Sequence, residues 1–239
     1  MNEKSKSELF KTLESHNTPA ITNVVATYPD NPLCLGLYNP WQENWYTNNS
    51  IDCVYPELGA RAGYVVTCTF SLPDQNFGQL TFLDVVDAME EVNGPSILVA
   101  KQKFPPEIKE KAGLFGGNMT ASMKAVGAVG VVTDGPSRDV DEIREMDFQY
   151  MMDGATPGHG NFTVSAINVP VSVAGMDVAP GEIVHMDEHG ACKFPSDKME
   201  QVCENVQELE KIEQARMSKL EKAESASRVR DIFLEDEAN

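Results

Sequence analysis

Residues 116–143 read GGNMTASMKAVGAVGVVTDGPSRDVDEI, and this stretch decides the fold class. A glycine pair opens a helical pattern from about Met119 to Val126. An apolar, β-branched run from Val129 to Thr133 follows, and after a polar turn a second helix is predicted from about Val140 to Met146. Helix, strand and helix in such short succession indicate an α/β domain whose loops lie at strand-to-helix turns. Working outward on the N-terminal side, Gly63 to Phe70 reads as a strand, Thr81 to Asn93 as a helix closed by Asn93-Gly94, and Ser96 to Ala100 as a short apolar strand. On the C-terminal side, Phe148 to Met152 and the Gly-rich loop Asp153 to Asn161 lead into β-rich sequence at Ala166 to Val173, Glu182 to Asp187 and Ala191 to Phe194, punctuated by Pro180-Gly181 and Glu188-His189-Gly190.

The flanks are different in kind. Leu9, Phe10 and Leu13 have helical spacing, and Thr18-Pro19 reads as a capping hydroxyl followed by a first-turn proline, with Ile21, Val24, Val25 and Tyr28 as the buried face of a second helix. From Pro29 to Pro56 the pattern dissolves into a long loop carrying Tyr38, Trp41, Trp45 and Tyr46, read as an interface or a lid. Beyond Met199, the positions Val202, Val206, Leu209 and Ile212 recur every three or four residues among charged ones, which predicts an exposed amphipathic helix serving as an oligomer contact and ending in a frayed acidic tail. The expected organisation is helices and aromatic loop over residues 1–60, an α/β domain over 61–196, and a C-terminal helix and tail over 197–239.

Composition narrows the function. The 239 residues carry 19 basic and 37 acidic side chains, a formal charge of −18, which removes the main driving force for nucleic-acid binding. Five cysteines without C-x-x-C spacing argue against a disulfide framework or a zinc site and fit a reducing cytoplasm. A polar N-terminus and the lack of any long apolar run disfavour secretion and membrane insertion.

The residues able to carry chemistry converge on Gly116-Gly117-Asn118-Met119 and Asp134-Gly135-Pro136-Ser137-Arg138-Asp139, with Glu142 beyond. Glycines ahead of a helix let backbone N–H groups approach a ligand, and a helix N-terminus favours an anion, so a carboxylate is expected to dock at Gly117 to Met119. Arg138 offers a planar fork to a second carboxylate or an enolate oxygen, while Asp139 and Glu142 are hard oxygen donors suited to Mg²⁺ or Mn²⁺. The same spacing also describes a helix N-cap with a capping-box glutamate, and the glycine pair also describes a tight turn. His159 reads either as a proton shuttle or as a solvent-facing imidazole. His185 and His189 lie on a strand and turn, roughly 13 Å apart in extended rise, and are not expected to share a metal. Met119 and Met123 read as packing residues, Met119 beside the pocket.

Taken together, Gly116 to Asp139 with Val140-Asp141-Glu142-Ile143 closely resembles the signature of the RraA-like family, which includes 4-hydroxy-4-methyl-2-oxoglutarate/4-carboxy-4-hydroxy-2-oxoadipate aldolases and regulators of ribonuclease E. Gly127, Gly130, Val132, Asp134, Gly135, Arg138 and Asp139 match its G-x-x-G-x-V and D-G-x-x-R-D pattern. Thr156-Pro157-Gly158-His159-Gly160 and Val178-Ala179-Pro180-Gly181-Glu182 look like its downstream segments, so the likeness runs from about Tyr64 to Pro195. The resemblance implies a swivelling β/β/α domain, trimers or pairs of trimers with active sites at subunit boundaries, substrate binding by Gly116 to Met119 and Arg138, and a divalent metal on Asp139. Where the aldolases commonly carry an aspartate, this chain has Gly117. It fits instead a subgroup pattern G-x20-R-D-x2-E/D, in which Glu142 would replace the lost carboxylate. The function so implied is metal-dependent carbon–carbon cleavage of a small 2-oxo diacid through a pyruvate-type enolate, as an oxaloacetate decarboxylase or an aldolase, with Arg138 and Asp139 as catalytic residues. The alternative is a noncatalytic regulator binding a protein partner. A menaquinone-pathway methyltransferase, an older label in the family, lacks the expected Gly-rich nucleotide turn.

Overall fold

A computed structural model describes residues 5–28, 31–75 and 79–237. The first two residues of the long loop, the four N-terminal residues and the last two of the acidic tail lie outside the described residues. In chain order the elements are α1 (Lys6–Glu14), α2 (Thr18–Val25), β1 (Asp52–Cys53), β2 (Arg61–Ser71), α3 (Phe82–Glu90), β3 (Ser96–Lys103), α4 (Pro106–Lys109), α5 (Gly117–Ala125), β4 (Ala128–Thr133), α6 (Val140–Arg144) and β5 (Gln149–Met152). They continue as β6 (Thr163–Ile167), β7 (Val171–Val173), β8 (Met176–Val178), β9 (Ile183–Asp187), β10 (Gly190–Phe194), α7 (Met199–Leu220) and α8 (Ala226–Glu237).

Strands β2, β3, β4 and β5 run parallel and adjacent, linked through α3, α4–α5 and α6. Parallel strands covered on both faces read as near-continuous apolar runs, which is why β3 and β4 were visible in the sequence. Alternate residues divide between two cores. Val66, Cys68, Phe70, Leu98 and Ala100 meet Val85 and Met89 of α3, Met123 of α5 and Ile143 of α6. Val65, Ile97, Val99 and Val132 face the β7–β8 hairpin and Val184 and Met186 of β9. The result is a sheet with helices on one face and a second β layer on the other. The eleven-residue β2 is long enough to pair antiparallel with β9 along its first half and with β6 along its second.

A third core closes the other side of β9 and β10, where Ile183, Cys192 and Phe194 meet α1, α2 and α7. This corrects the expectation of an exposed C-terminal helix. Met199, Val202, Val206 and Leu209 are buried against Leu9, Phe10, Leu13, Ile21, Val24 and Val25 of the same chain. Burial stabilises each such side chain by about 1.5–3 kcal/mol, so the stripe is used within the chain. Ile212, one turn past that contact, and Met217 are exposed. The tail does not simply fray: the chain returns as α8, with Ile232 fully buried and Glu235 bonded to Arg228 and Lys219. Among the described residues no helix is long and apolar enough to cross a membrane.

Two smaller differences have local causes. The α2 cap is Asn17, whose side chain accepts from the Ala20 N–H at 2.8 Å, whereas the Thr18 hydroxyl is turned inward to His185 Nδ1 at 2.9 Å. The described part of the aromatic loop packs away from the glycine-pair turn. Trp45 is buried, stacked on Tyr38 with ring centroids 5.4 Å apart, and packs with the helical core beside β10.

Buried polar groups tie these layers together. Asp134, 9% exposed, ends β4 and accepts from the Gln102 N–H at 2.9 Å, Lys101 Nζ at 2.6 Å and Lys109 Nζ at 2.9 Å. It thus clamps the ends of β3 and β4 and the intervening α4. Asp134→Ala strands two cations and a backbone donor, and is expected to cost on the order of 3 kcal/mol in urea unfolding. An unchanged midpoint would refute the clamp. His185 is fully buried, its Nε2–H donating to the Leu13 carbonyl at 3.0 Å and its Nδ1 accepting from Thr18. Burial holds its pKa below the ordinary 6.5, outweighing the pull of the Leu13 carbonyl and Asp187. The unfolded chain therefore takes up a proton first, and this site subtracts stability as pH falls below about 6.5. Urea unfolding between pH 5 and 7 is expected to show a steeper acid loss in the wild type than in His185→Gln; parallel slopes would contradict it.

Candidate active site

The two turns singled out in the sequence leave the carboxyl ends of neighbouring parallel strands, where ligand sites of open α/β sheets form. After β3 and α4, residues Gly113 to Gly116 run extended beside the turn after β4. Leu114 N–H donates to the Pro136 carbonyl at 3.1 Å, and Arg138 N–H donates to the Phe115 carbonyl at 3.0 Å. A third segment completes the braid from the other side: Ser137 N–H donates to Gly154 O at 3.2 Å, Thr156 N–H to Ser137 O at 2.9 Å, and Gly113 N–H to Gly158 O at 2.8 Å. Backbone pairing alone thus holds Arg138 next to Gly116, whatever the side chains do.

The side chains then fill a space that the glycines leave. The Asp139 carboxylate accepts from the Gly117 N–H at 3.1 Å and lies 3.5 Å from Arg138 Nε. A Cβ on Gly116 would sit 2.5 Å from Asp139 Oδ2, and a Cβ on Gly117 only 2.3 Å from Glu142 Oε1. Both carboxylates therefore occupy volume that any larger residue at 116 or 117 would claim. They gather at the N-terminus of α5, where the helix dipole favours negative charge. The start of α5 is itself braced: Thr120 Oγ1 donates to the Gly116 carbonyl at 2.9 Å and lies 2.7 Å from the Tyr150 hydroxyl. The start of α6 is held by the Tyr55 hydroxyl, which donates to the Val140 carbonyl at 2.7 Å. Burial pushes that phenol up to about 12 and keeps it a donor.

Asp139 has a left-handed backbone, φ 57° and ψ 35°, a conformation that Asp tolerates better than most residues and that costs energy unless the surroundings enforce it. It makes no side-chain bond to its own helix α6. The capping-box reading of Asp139 and Glu142 is therefore corrected: the aspartate serves the N-terminus of the neighbouring helix. A second expectation needs refining as well. The Gly117 N–H is taken by Asp139 and the residue is buried, so this amide of the expected docking turn is already engaged within the chain.

Gly116, Asn118, Met119, Arg138, Asp139 and Glu142 line one cleft of about 560 Å³, together with His159. Arg138 and Asp139 each have 35% of the side chain exposed. Sequence reasoning missed the apolar part of the wall, Pro73, Leu114 and Phe162, which carries no motif and is assembled from three separate segments. Met123 packs beneath in the core, as expected. His185 is a satisfied core histidine, and among the described residues no group of three or more His, Cys, Asp or Glu side chains converges as a metal cage. Asp139 and Glu142 are the two carboxylates that line the cleft among the described residues.

Residues 38–192 match the family model described as RraA-like, Aldolase/RraA. An uncharacterized protein of Methanocaldococcus jannaschii is 30% identical over 124 residues, 49% of this chain and 60% of its own length. A Thermus thermophilus protein named 4-hydroxy-4-methyl-2-oxoglutarate aldolase is 33% identical over 91 residues, 36% of this chain and 52% of that one. The match thus spans less than two thirds of these curated relatives. Among solved structures, RraAS2 of Streptomyces coelicolor, described as an unusual member of the RNase ES inhibitor RraA family, superposes with TM-score 0.65 at 20% identity, covering 89% of this chain and 96% of that one. An uncharacterized Pseudomonas syringae protein superposes with TM-score 0.72 at 16% identity over 96% of both chains, again a likeness of fold. With the family model covering most of the chain and Gly116, Arg138 and Asp139 brought together in one cleft, this protein belongs to the RraA-like family.

Proposed function

We propose that the cleft is the active site of a divalent-metal-dependent lyase that breaks a carbon–carbon bond in a small 2-oxo diacid. The observation that carries this reading is the Glu142 carboxylate lying where the side chain of residue 117 would begin, beside the Asp139 carboxylate at the head of α5. Two hard oxygen donors side by side, with room left open by Gly116 and Gly117, fit Mg²⁺ or Mn²⁺. When bound, the cation supplies Lewis acidity toward the keto and carboxylate oxygens of the substrate.

The chain supplies the rest. Arg138 presents a fork of parallel donors to a substrate carboxylate, and its charge favours the electron density that develops as the bond breaks. The first-turn amides of α5 and the helix dipole favour an anion on the same side. Leu114, Phe162 and Pro73 keep part of the cleft apolar, which strengthens these electrostatic interactions by excluding water. Oxaloacetate decarboxylation needs only stabilisation of the resulting enolate. Aldol cleavage of 4-hydroxy-4-methyl-2-oxoglutarate, the activity in the name of the Thermus thermophilus relative, also needs a base for the hydroxyl proton. Assembly as a homotrimer or hexamer is part of the proposal.

Pyruvate release from both substrates, with and without Mg²⁺, tests it. Asp139→Ala and Arg138→Lys are each expected to lower kcat/KM by on the order of 10²-fold or more. Equal rates in wild type and Asp139→Ala would overturn the lyase reading and leave the noncatalytic regulator in its place. Gly117→Ala separates site from fold. Its Cβ meets the flexible end of Glu142 within a helix that tolerates alanine, so the thermal midpoint is expected to hold or rise while Mn²⁺ affinity by calorimetry falls. Undiminished Mn²⁺ affinity would remove Glu142 from the site.

A further inference from the structure

Aldol cleavage in this cleft requires a proton acceptor, and position 117 provides no side chain for that task. Both lining carboxylates, Asp139 and Glu142, are committed to the cation in the reading above, on which this inference rests. Arg138 only donates. Among the described residues, the remaining ionisable side chain lining the cleft is His159.

Its surroundings prepare it for the role. Nδ1 lies 2.8 Å from the Gly160 carbonyl oxygen. A carbonyl only accepts, so Nδ1 carries the hydrogen, and in the uncharged ring Nε2 keeps its lone pair. The ring edge meets Phe162 with centroids 6.5 Å apart at 74°. The loop that carries it is pinned at Gly158 and Thr156 to the segments that hold Gly116 and Arg138. Among the described residues, the charged groups facing the same cleft are Arg138 and Asp139 from the turn after β4 and Glu142 from α6, while α5 contributes Asn118 and Met119.

We infer that His159 is the proton-transfer residue for the aldol step. Nε2 takes the proton of the 4-hydroxyl group, the C3–C4 bond breaks, C4 leaves as a ketone, and the bonding pair passes into the C2–C3 enolate of pyruvate. The imidazolium then returns the same proton to C3, releasing pyruvate and restoring the neutral ring, so no co-reactant is consumed. Decarboxylation of oxaloacetate has no hydroxyl proton to remove and depends less on this residue.

The variant is His159→Asn in the full chain, whose amide can still donate to the Gly160 carbonyl but cannot accept a proton at neutral pH. Expected is a fall in kcat for 4-hydroxy-4-methyl-2-oxoglutarate of on the order of 10²-fold with KM unchanged, and a clearly smaller fall in oxaloacetate decarboxylation. Independently of turnover, one imidazole resonance of the four histidines, identified by its absence in His159→Asn, is expected to shift when oxalate is added with Mg²⁺. Undiminished aldol cleavage, a rise in KM alone, or a His159 resonance unmoved by oxalate would overturn the proton-transfer role while the lyase reading stands. A wild type that cleaves neither substrate would overturn the lyase reading itself and this role with it.

Discussion

The contact on which the site depends is the Asp139 carboxylate seated on the Gly117 amide at the head of α5. It joins the turn after β4 to the helix that follows the turn after β3, and it exists because residues 116 and 117 have no side chains. The left-handed backbone at Asp139 aims the carboxylate at that neighbouring helix, and the backbone pairing of Leu114 with Pro136 and of Phe115 with Arg138 holds it there. Glu142 enters from one turn further along, into the space beside Gly117. Substituting either glycine with a larger residue changes the position of a carboxylate before it changes the fold.

The scaffold beneath this contact divides its work. The clamp of Asp134 with Lys101, Lys109 and the Gln102 amide fixes the ends of the two strands from which the turns leave, and it spends the first aspartate of the D-G-x-x-R-D pattern on structure. Tyr150 and Thr120 set the start of α5, and Tyr55 sets the start of α6. Helices α1, α2 and α7 and the described part of the aromatic loop pack on the far side of β9 and β10 and do not line the cleft.

Much of this was legible in the sequence, for reasons that can be named. Buried parallel strands write themselves as apolar runs, so β2, β3 and β4 stood out, and the glycine pair marked a close approach. The α/β class and the family followed from them. The helix α7 was misjudged because an amphipathic stripe shows that a face is buried without showing what buries it, and here the partner is a pair of helices nearly two hundred residues upstream. The dual reading of Asp139-x-x-Glu142 was equally beyond spacing: cap and ligand pair share the same interval, and it takes the left-handed backbone at Asp139 and its bond to the Gly117 amide to remove the cap. Phe162 and Leu114 were illegible because a wall built from separate loops leaves no local pattern.

The central claim is that Asp139 and Glu142 together hold one divalent cation at the head of α5, with Arg138 facing the anion it shares. A crystal structure of the protein soaked with Mn²⁺ and oxalate, phased on the anomalous signal of manganese, tests that most directly. The account predicts a single strong peak within coordinating distance of both carboxylates and an oxalate paired with the Arg138 guanidinium. A manganese site elsewhere, or oxalate bound away from Arg138 in every subunit, would contradict it.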